Sequence, residues 1–106
     1  MEFDPPRLID RWPILAGQLR DALARDNEIG LASQVDELRI FATCPCGDDF
    51  CQSFYTEPAP EGAYPADRHR NWSPQAGRPG WDGYLILDVV DERIAFVELL
   101  DRPPLD

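Results

Sequence analysis

The chain has no lysine, a single histidine and only three cysteines among 106 residues, and each scarcity narrows what it can do. All ten basic residues are arginines, set against 20 acidic ones, for a formal charge of −10. Such a field repels phosphate backbones and anionic membrane surfaces, so direct nucleic-acid binding and membrane attachment are disfavoured, whereas a basic protein partner is compatible with it. No apolar run approaches the ~18 residues needed to cross a bilayer. The segment Met1-Glu2-Phe3-Asp4-Pro5-Pro6 lacks a basic stretch followed by an apolar one, which makes the cytoplasm the expected location. With one histidine, no helical His-x3-His pair can form, and neither a phosphate-cradling glycine loop nor a calcium loop is present.

What is present suits one domain over residues 1–106. The hydrophobic content of 43% is that of an ordinary globular protein, large enough for a core without an obligatory disulfide or metal. The strongest helical signal starts near Asp10. Leu8, Trp12, Leu15, Ala16, Leu19, Ala22 and Leu23 fall on one stripe at the 3.6-residue period. Asp10 is the expected N-cap, with Pro13 in the first turn and Ile9 stapled to Ile14. Gly17 inside the helix suggests close packing against a neighbour, or simple tolerance. After a break at Gly30 and one short helical turn, period-two alternation from Leu38 to Cys44 predicts a first strand, and Phe50 to Thr56 predicts a second.

Glu57 to Asp82 is rich in proline and glycine and is expected to be irregular, yet it carries Tyr64, His69, Trp72 and Trp81. Those aromatic residues either cover a sheet face or present a binding loop. The final third reads as a hairpin, Tyr84 to Val90 and Arg93 to Leu100, turning at Asp91 and Glu92. A regular register with Val89 opposite Ile94 sets Leu87 against Phe96, Ile86 against Val97 and Tyr84 against Leu99. Both faces are then apolar, with the helix on one and the aromatic loop on the other, while Asp88 and Glu98 lie on different faces and cannot serve one substrate together. The expected fold is therefore α+β: an N-terminal helix packed on an antiparallel sheet of about four strands, with a long Pro/Gly-rich loop before a C-terminal β-hairpin.

The cysteines fall together in Cys44-Pro45-Cys46-Gly47-Asp48-Asp49-Phe50-Cys51. Side chains at Cys44 and Cys46 share a strand face, and Gly47 permits a turn that returns Cys51 towards them. Zinc needs a fourth thiolate or imidazole, which only His69 can supply as imidazole, so Cys44, Cys46, Cys51 and His69 are the candidate zinc ligands. The Cys-x-Cys spacing differs from the usual Cys-x2-Cys knuckle, and packed thiols or a disulfide or redox switch fit the same residues.

The run Cys-Pro-Cys-Gly-Asp-Asp-Phe-Cys-Gln-Ser-Phe-Tyr-Thr, the Gly-Ala-Tyr-Pro loop ending in His69-Arg70, and the hairpin Leu-Ile-Leu-Asp-Val-Val…Arg-Ile-Ala-Phe-Val-Glu-Leu-Leu resemble a group of small uncharacterised bacterial proteins over the last two thirds of the chain. The resemblance implies a bacterial cytoplasmic origin and one structural unit of cysteine segment, loop and hairpin. It brings no activity, substrate or ligand. The function expected from the residues is that of a non-enzymatic acidic interaction protein presenting the Tyr64 to Trp81 loop, with Tyr64, Trp72 and Trp81 as contact residues, to a protein partner that could be basic. The alternative is a small zinc-stabilised domain; a thiol-dependent enzyme or redox sensor ranks last. Oligomeric state is not legible.

Overall fold

Proline sets the first boundary in the computed structural model, which describes residues 4–43, 51–58, 60, 62–73 and 84–100. A residue before proline is driven out of the helical region, and Trp12 accordingly takes φ −136° and ψ 74°. The expected single helix is thus two: α1, Leu8–Arg11, and α2, Pro13–Arg25, with Pro13 in the first turn where its missing N–H costs nothing. Trp12, not Asp10, occupies the N-cap of α2, and Asp10 instead accepts a hydrogen bond from Arg7 at 3.2 Å. Ile14 is 62% exposed, so the expected staple does not bury it. Gly17 has nothing within 4 Å of where a Cβ would stand, which settles its role as tolerance and not close packing.

Asn27, at φ 60°, turns the chain out of α2 in the left-handed region, and α3 (Ile29–Ala32) and a 3-10 turn (Val35–Glu37) follow. The next residues run extended beside the N-terminus: Leu8 N–H donates to the Leu38 carbonyl at 2.8 Å and Ile40 N–H to that of Pro6 at 2.8 Å. Among the described residues, the expected first strand pairs regularly at β1, Ala42–Thr43, and the second at β2, Phe54–Tyr55. Leu38 and Ile40 are nonetheless buried, as their alternation predicts.

The sheet is antiparallel with five strands in the order β1-β2-β5-β4-β3, where β3 is His69–Trp72, β4 Tyr84–Val90 and β5 Arg93–Leu100. Strand β3 is a correction to the expected irregular stretch: its four residues pair with β4 from His69 opposite Val90 to Trp72 opposite Leu87. The hairpin has the expected ends and turn, with Asp91 and Glu92 both at positive φ (51° and 60°), the geometry of a two-residue type I′ turn. Its register departs from the regular one. Val89 faces Ile94 but Asp88 faces Phe96, so Ala95 is an extra residue; Leu87 faces Val97, Ile86 faces Glu98 and Tyr84 faces Leu100. The bulge exists because Ile94, Val97 and Leu99 are all apolar but not in one period-two phase; one added residue brings all three to the core side, each 0% exposed.

Leu15, Leu19 and Leu23 of α2, Leu31 of α3, and Phe54, Trp72, Leu85, Leu87, Val89, Val97 and Leu99 of the sheet form one apolar cluster. Each such side chain taken from water stabilises by roughly 1.5–3 kcal/mol, which makes this seam the main source of stability. Polar side chains close it at the ends. Trp72 Nε1–H donates to Asp26 Oδ2 at 2.7 Å, and Gln34 receives the Ile94 amide at 3.1 Å while donating to the Glu92 carbonyl at 2.7 Å. No described helix is long and apolar enough to cross a membrane.

Candidate functional site

The bulge decides what the sheet shows on the face opposite the core. Beyond it, Asp88 pairs with Phe96 and Ile86 with Glu98, so these four side chains share the outer face, where all are half-buried. This overturns the expected separation of Asp88 from Glu98: the regular register omits the one residue that changes strand phase. Pairing extends the face on both sides. Tyr55 lies opposite Phe96 with ring centroids 4.4 Å apart, and β3 contributes His69 and Asn71. The outer face is therefore mixed, with aromatic and apolar surface interleaved with carboxylates, where the regular register makes it apolar.

At its β3 edge the polar groups are tied together. Asn71 stands opposite Asp88 and donates from Nδ2 to Oδ1 at 2.7 Å, and His69 Nε2 lies 2.7 Å from the same oxygen. A carboxylate only accepts, so Nε2 is the donor in this contact. The turn that returns the Arg68 N–H to the Pro65 carbonyl (3.0 Å) brings Tyr64 back over His69, ring centroids 5.1 Å apart. Burial pushes the Tyr64 hydroxyl up to about 12, with Asp88, Tyr55 and Glu57 adding to the shift because tyrosinate would be repelled by them. Tyr64, His69 and Asp88 thus sit in one half-buried, negatively biased patch. An Asp–His pair orients an imidazole, but catalysis of acyl transfer needs a nucleophile as well. The side chain against His69 is Tyr64, a phenol whose raised pKa keeps it protonated and so a poor nucleophile.

A second cluster anchors the hairpin turn. Arg70 donates to both oxygens of Glu28 (2.9 and 3.1 Å) and to both of Glu92 (3.1 and 2.9 Å). These hydrogen bonds raise the Arg70 pKa well above its ordinary value and hold Glu92 below the usual glutamate range.

Of the sequence-derived candidates, Tyr64 and His69 are brought together, ring against ring. Cys44, Cys46 and Trp81 lie outside the described residues. Cys51 is half-buried and donates from Sγ to Ser53 Oγ at 3.4 Å; its neighbour Gln52 donates its N–H to the Leu99 carbonyl, at the far end of β5. His69 sits opposite Val90, beside the hairpin turn. Six strand residues at ~3.3 Å each separate those two levels, about 20 Å, so His69 and Cys51 are not brought together. Among the described residues, no three His, Cys, Asp or Glu side chains converge as a metal ion requires. Trp72, expected on a presented loop, is 6% exposed and faces the core, because strand alternation puts it level with Leu87. Tyr64 alone of the three contact candidates is described at the surface. The residues that build the outer face, Tyr55, Asp88, Phe96 and Glu98, carry no motif; only the phase slip between Ile94 and Val97 could have marked them.

Beside β2 the surface is indented by a cleft of about 480 Å³ between the Leu38–Phe41 stretch and the chain at Thr56 and Ile94. No protein-family model matches the chain, and neither any curated protein nor any solved structure does.

Proposed function

We propose that the protein is a non-enzymatic interaction protein of the bacterial cytoplasm that receives a basic protein partner on the outer face of its sheet, with Tyr64 at the edge of the contact. The observation that carries this reading is the composition of that face. Tyr55, Ile86, Phe96 and Tyr64 offer apolar and aromatic area beside Asp88 and Glu98, a pairing that suits the stems and charged heads of arginine and lysine. The arginines do not offset the acidity elsewhere. Arg7, Arg20, Arg39, Arg68, Arg70 and Arg93 are each ion-paired to an aspartate or glutamate of the same chain, so the excess of −10 is left to act on a partner.

The test is affinity capture with the wild-type chain and with an Asp88→Asn/Glu98→Gln double variant. A basic partner retained at about 0.1 M salt, released at about 0.5 M and lost in the double variant is the expected result. Recovery of the protein alone at low salt, or of a partner indifferent to both changes, removes the reading.

A further inference from the structure

Strand β3 ends the sheet on one side, and the hairpin fixes which of its main-chain groups are left over. A two-residue turn closes on a hydrogen-bonded pair, so Val90 turns its N–H and C=O to Arg93 and away from β3. Alternation along β4 then directs Val89 and Leu87 to β3, where they meet Arg70 and Trp72. The Asp91 N–H, which donates to the Arg68 carbonyl at 3.0 Å, fits the same phase. His69 and Asn71 are therefore the non-hydrogen-bonded members of this ladder, and their N–H and C=O point to the open edge. No hydrogen bond of either main chain on that side is recorded among the described residues, and Asn71 is exposed.

An open edge is commonly guarded by a charge that an added strand would have to displace. Arg70 is the charge within β3, but its guanidinium is engaged inside the chain, held by both oxygens of Glu28 and both of Glu92. Arg68, just before the strand, is held by Asp91 at 3.3 Å. The side chains along β3 thus leave an excess of acid. Glu28 and Glu92 share one guanidinium, Trp72 donates to Asp26, and Asp88 lies against His69 and Asn71. Glu92 is 72% exposed, which leaves its carboxylate open to a further cation.

We propose that the β3 edge is a docking site for an extended segment of a basic partner protein, which exchanges main-chain hydrogen bonds with His69 and Asn71 and sets arginine or lysine beside Glu28 and Glu92. Strand addition of this kind takes affinity from the main chain and selectivity from alternate side chains. The charge of the occupant follows from the acid excess along the strand. A second copy of this chain would bring an equally acidic edge against this one, so the charges select a basic segment over another β3. The inference shares the basic partner with the reading above, but its geometry is that of the edge and is independent of the outer face.

The test uses randomised seven-residue peptides displayed on phage and selected against the full chain, with the most enriched peptide then synthesised and titrated. Asn71→Ala removes the side chain and keeps the main-chain donor; Asn71→Pro removes both. Proline is tolerated in an edge strand where the N–H faces outward, and Arg70 before it is already extended in β3. Enriched peptides should be rich in arginine or lysine. Asn71→Ala should bind within about threefold of wild type and Asn71→Pro roughly tenfold more weakly. The same peptide methylated at alternate nitrogens should lose roughly tenfold when one of its edges is blocked and little when the other is. Hydrogen exchange at the Asn71 amide of the wild-type chain should slow when peptide is added. These last two readouts stand even where the proline variant does not fold.

Equal binding by wild type and Asn71→Pro, an unchanged Asn71 amide, enrichment of peptides without basic residues, or no enrichment overturns the proposal. Protection of that amide without peptide overturns it too, assigning the edge to a second copy where the chain sediments as a dimer and to the chain itself where it does not. A basic partner captured by wild type and Asn71→Pro alike removes the edge site and leaves the outer-face reading standing; peptide binding at Asn71 without any captured partner does the reverse.

Discussion

Tyr64 joins the loop to the sheet, and its titration reports whether that junction exists in solution. Its hydroxyl has an ordinary value near 10 and is raised to about 12 in the fold, so the folded state holds its proton more tightly than the unfolded chain. The stability this contributes is complete below pH 10 and is lost as pH rises from 10 to 12. Tyrosinate absorbance followed across that window should show a late component near pH 12, and Tyr64→Phe should remove it and flatten the alkaline loss of stability. A titration complete by about pH 11 would place Tyr64 in open solvent. The sequence marked this residue as aromatic in a proline-rich stretch but not its partner. Asp88 looked unremarkable because its neighbours in space, His69 and Asn71, come from a strand of four residues with little hydrophobic pattern of its own. Such an edge strand is specified by the strand it pairs with, and local propensity does not register it.

Among the elements, α2 gives the cleanest test. Gly17 lies inside the helix with open space where a Cβ would be, so Gly17→Ala should raise stability by about 0.5–1 kcal/mol, read as a higher denaturant midpoint with unchanged slope. A destabilised variant would mean that the glycine serves a contact absent from this structure. The apolar stripe of this helix was legible because Leu15, Ala16, Leu19, Ala22 and Leu23 repeat at one period. Its start was misplaced by two residues, since Asp10 offered a plausible cap while the restriction that Pro13 imposes on Trp12 weighed more. The hairpin was legible for the same reason as the stripe: two long apolar runs and a short polar turn. Its register was not, because Ala95 has no composition that distinguishes a bulge from a regular pair.

At the scale of the molecule, charge opposes the fold while the core holds it. The ion pairs are mostly exposed and contribute about 0–1 kcal/mol each, whereas the net −10 repels itself over the whole surface. Added salt should therefore raise the melting temperature, by a few degrees between about 0.02 and 0.3 M, as screening relieves the repulsion. A falling melting temperature would show that the Arg70–Glu28–Glu92 cluster and its like outweigh the excess charge. Composition made this balance readable without structure. Where the charge meets apolar surface was readable only after β3 and the bulge had been located.

That bulge acts as a frame correction. Sidedness in a strand is read in steps of two, and Ile94 and Val97 are in different frames until Ala95 is counted out. A chain lacking Ala95 would keep Leu87 against Val97 and Leu85 against Leu99, whereas one residue more between Ile94 and Val97 would need a second correction or turn Val97 and Leu99 outward. Length in this hairpin is therefore free to shrink by one step and closed to growth, and the identity of the outer face is as much a matter of counting as of chemistry.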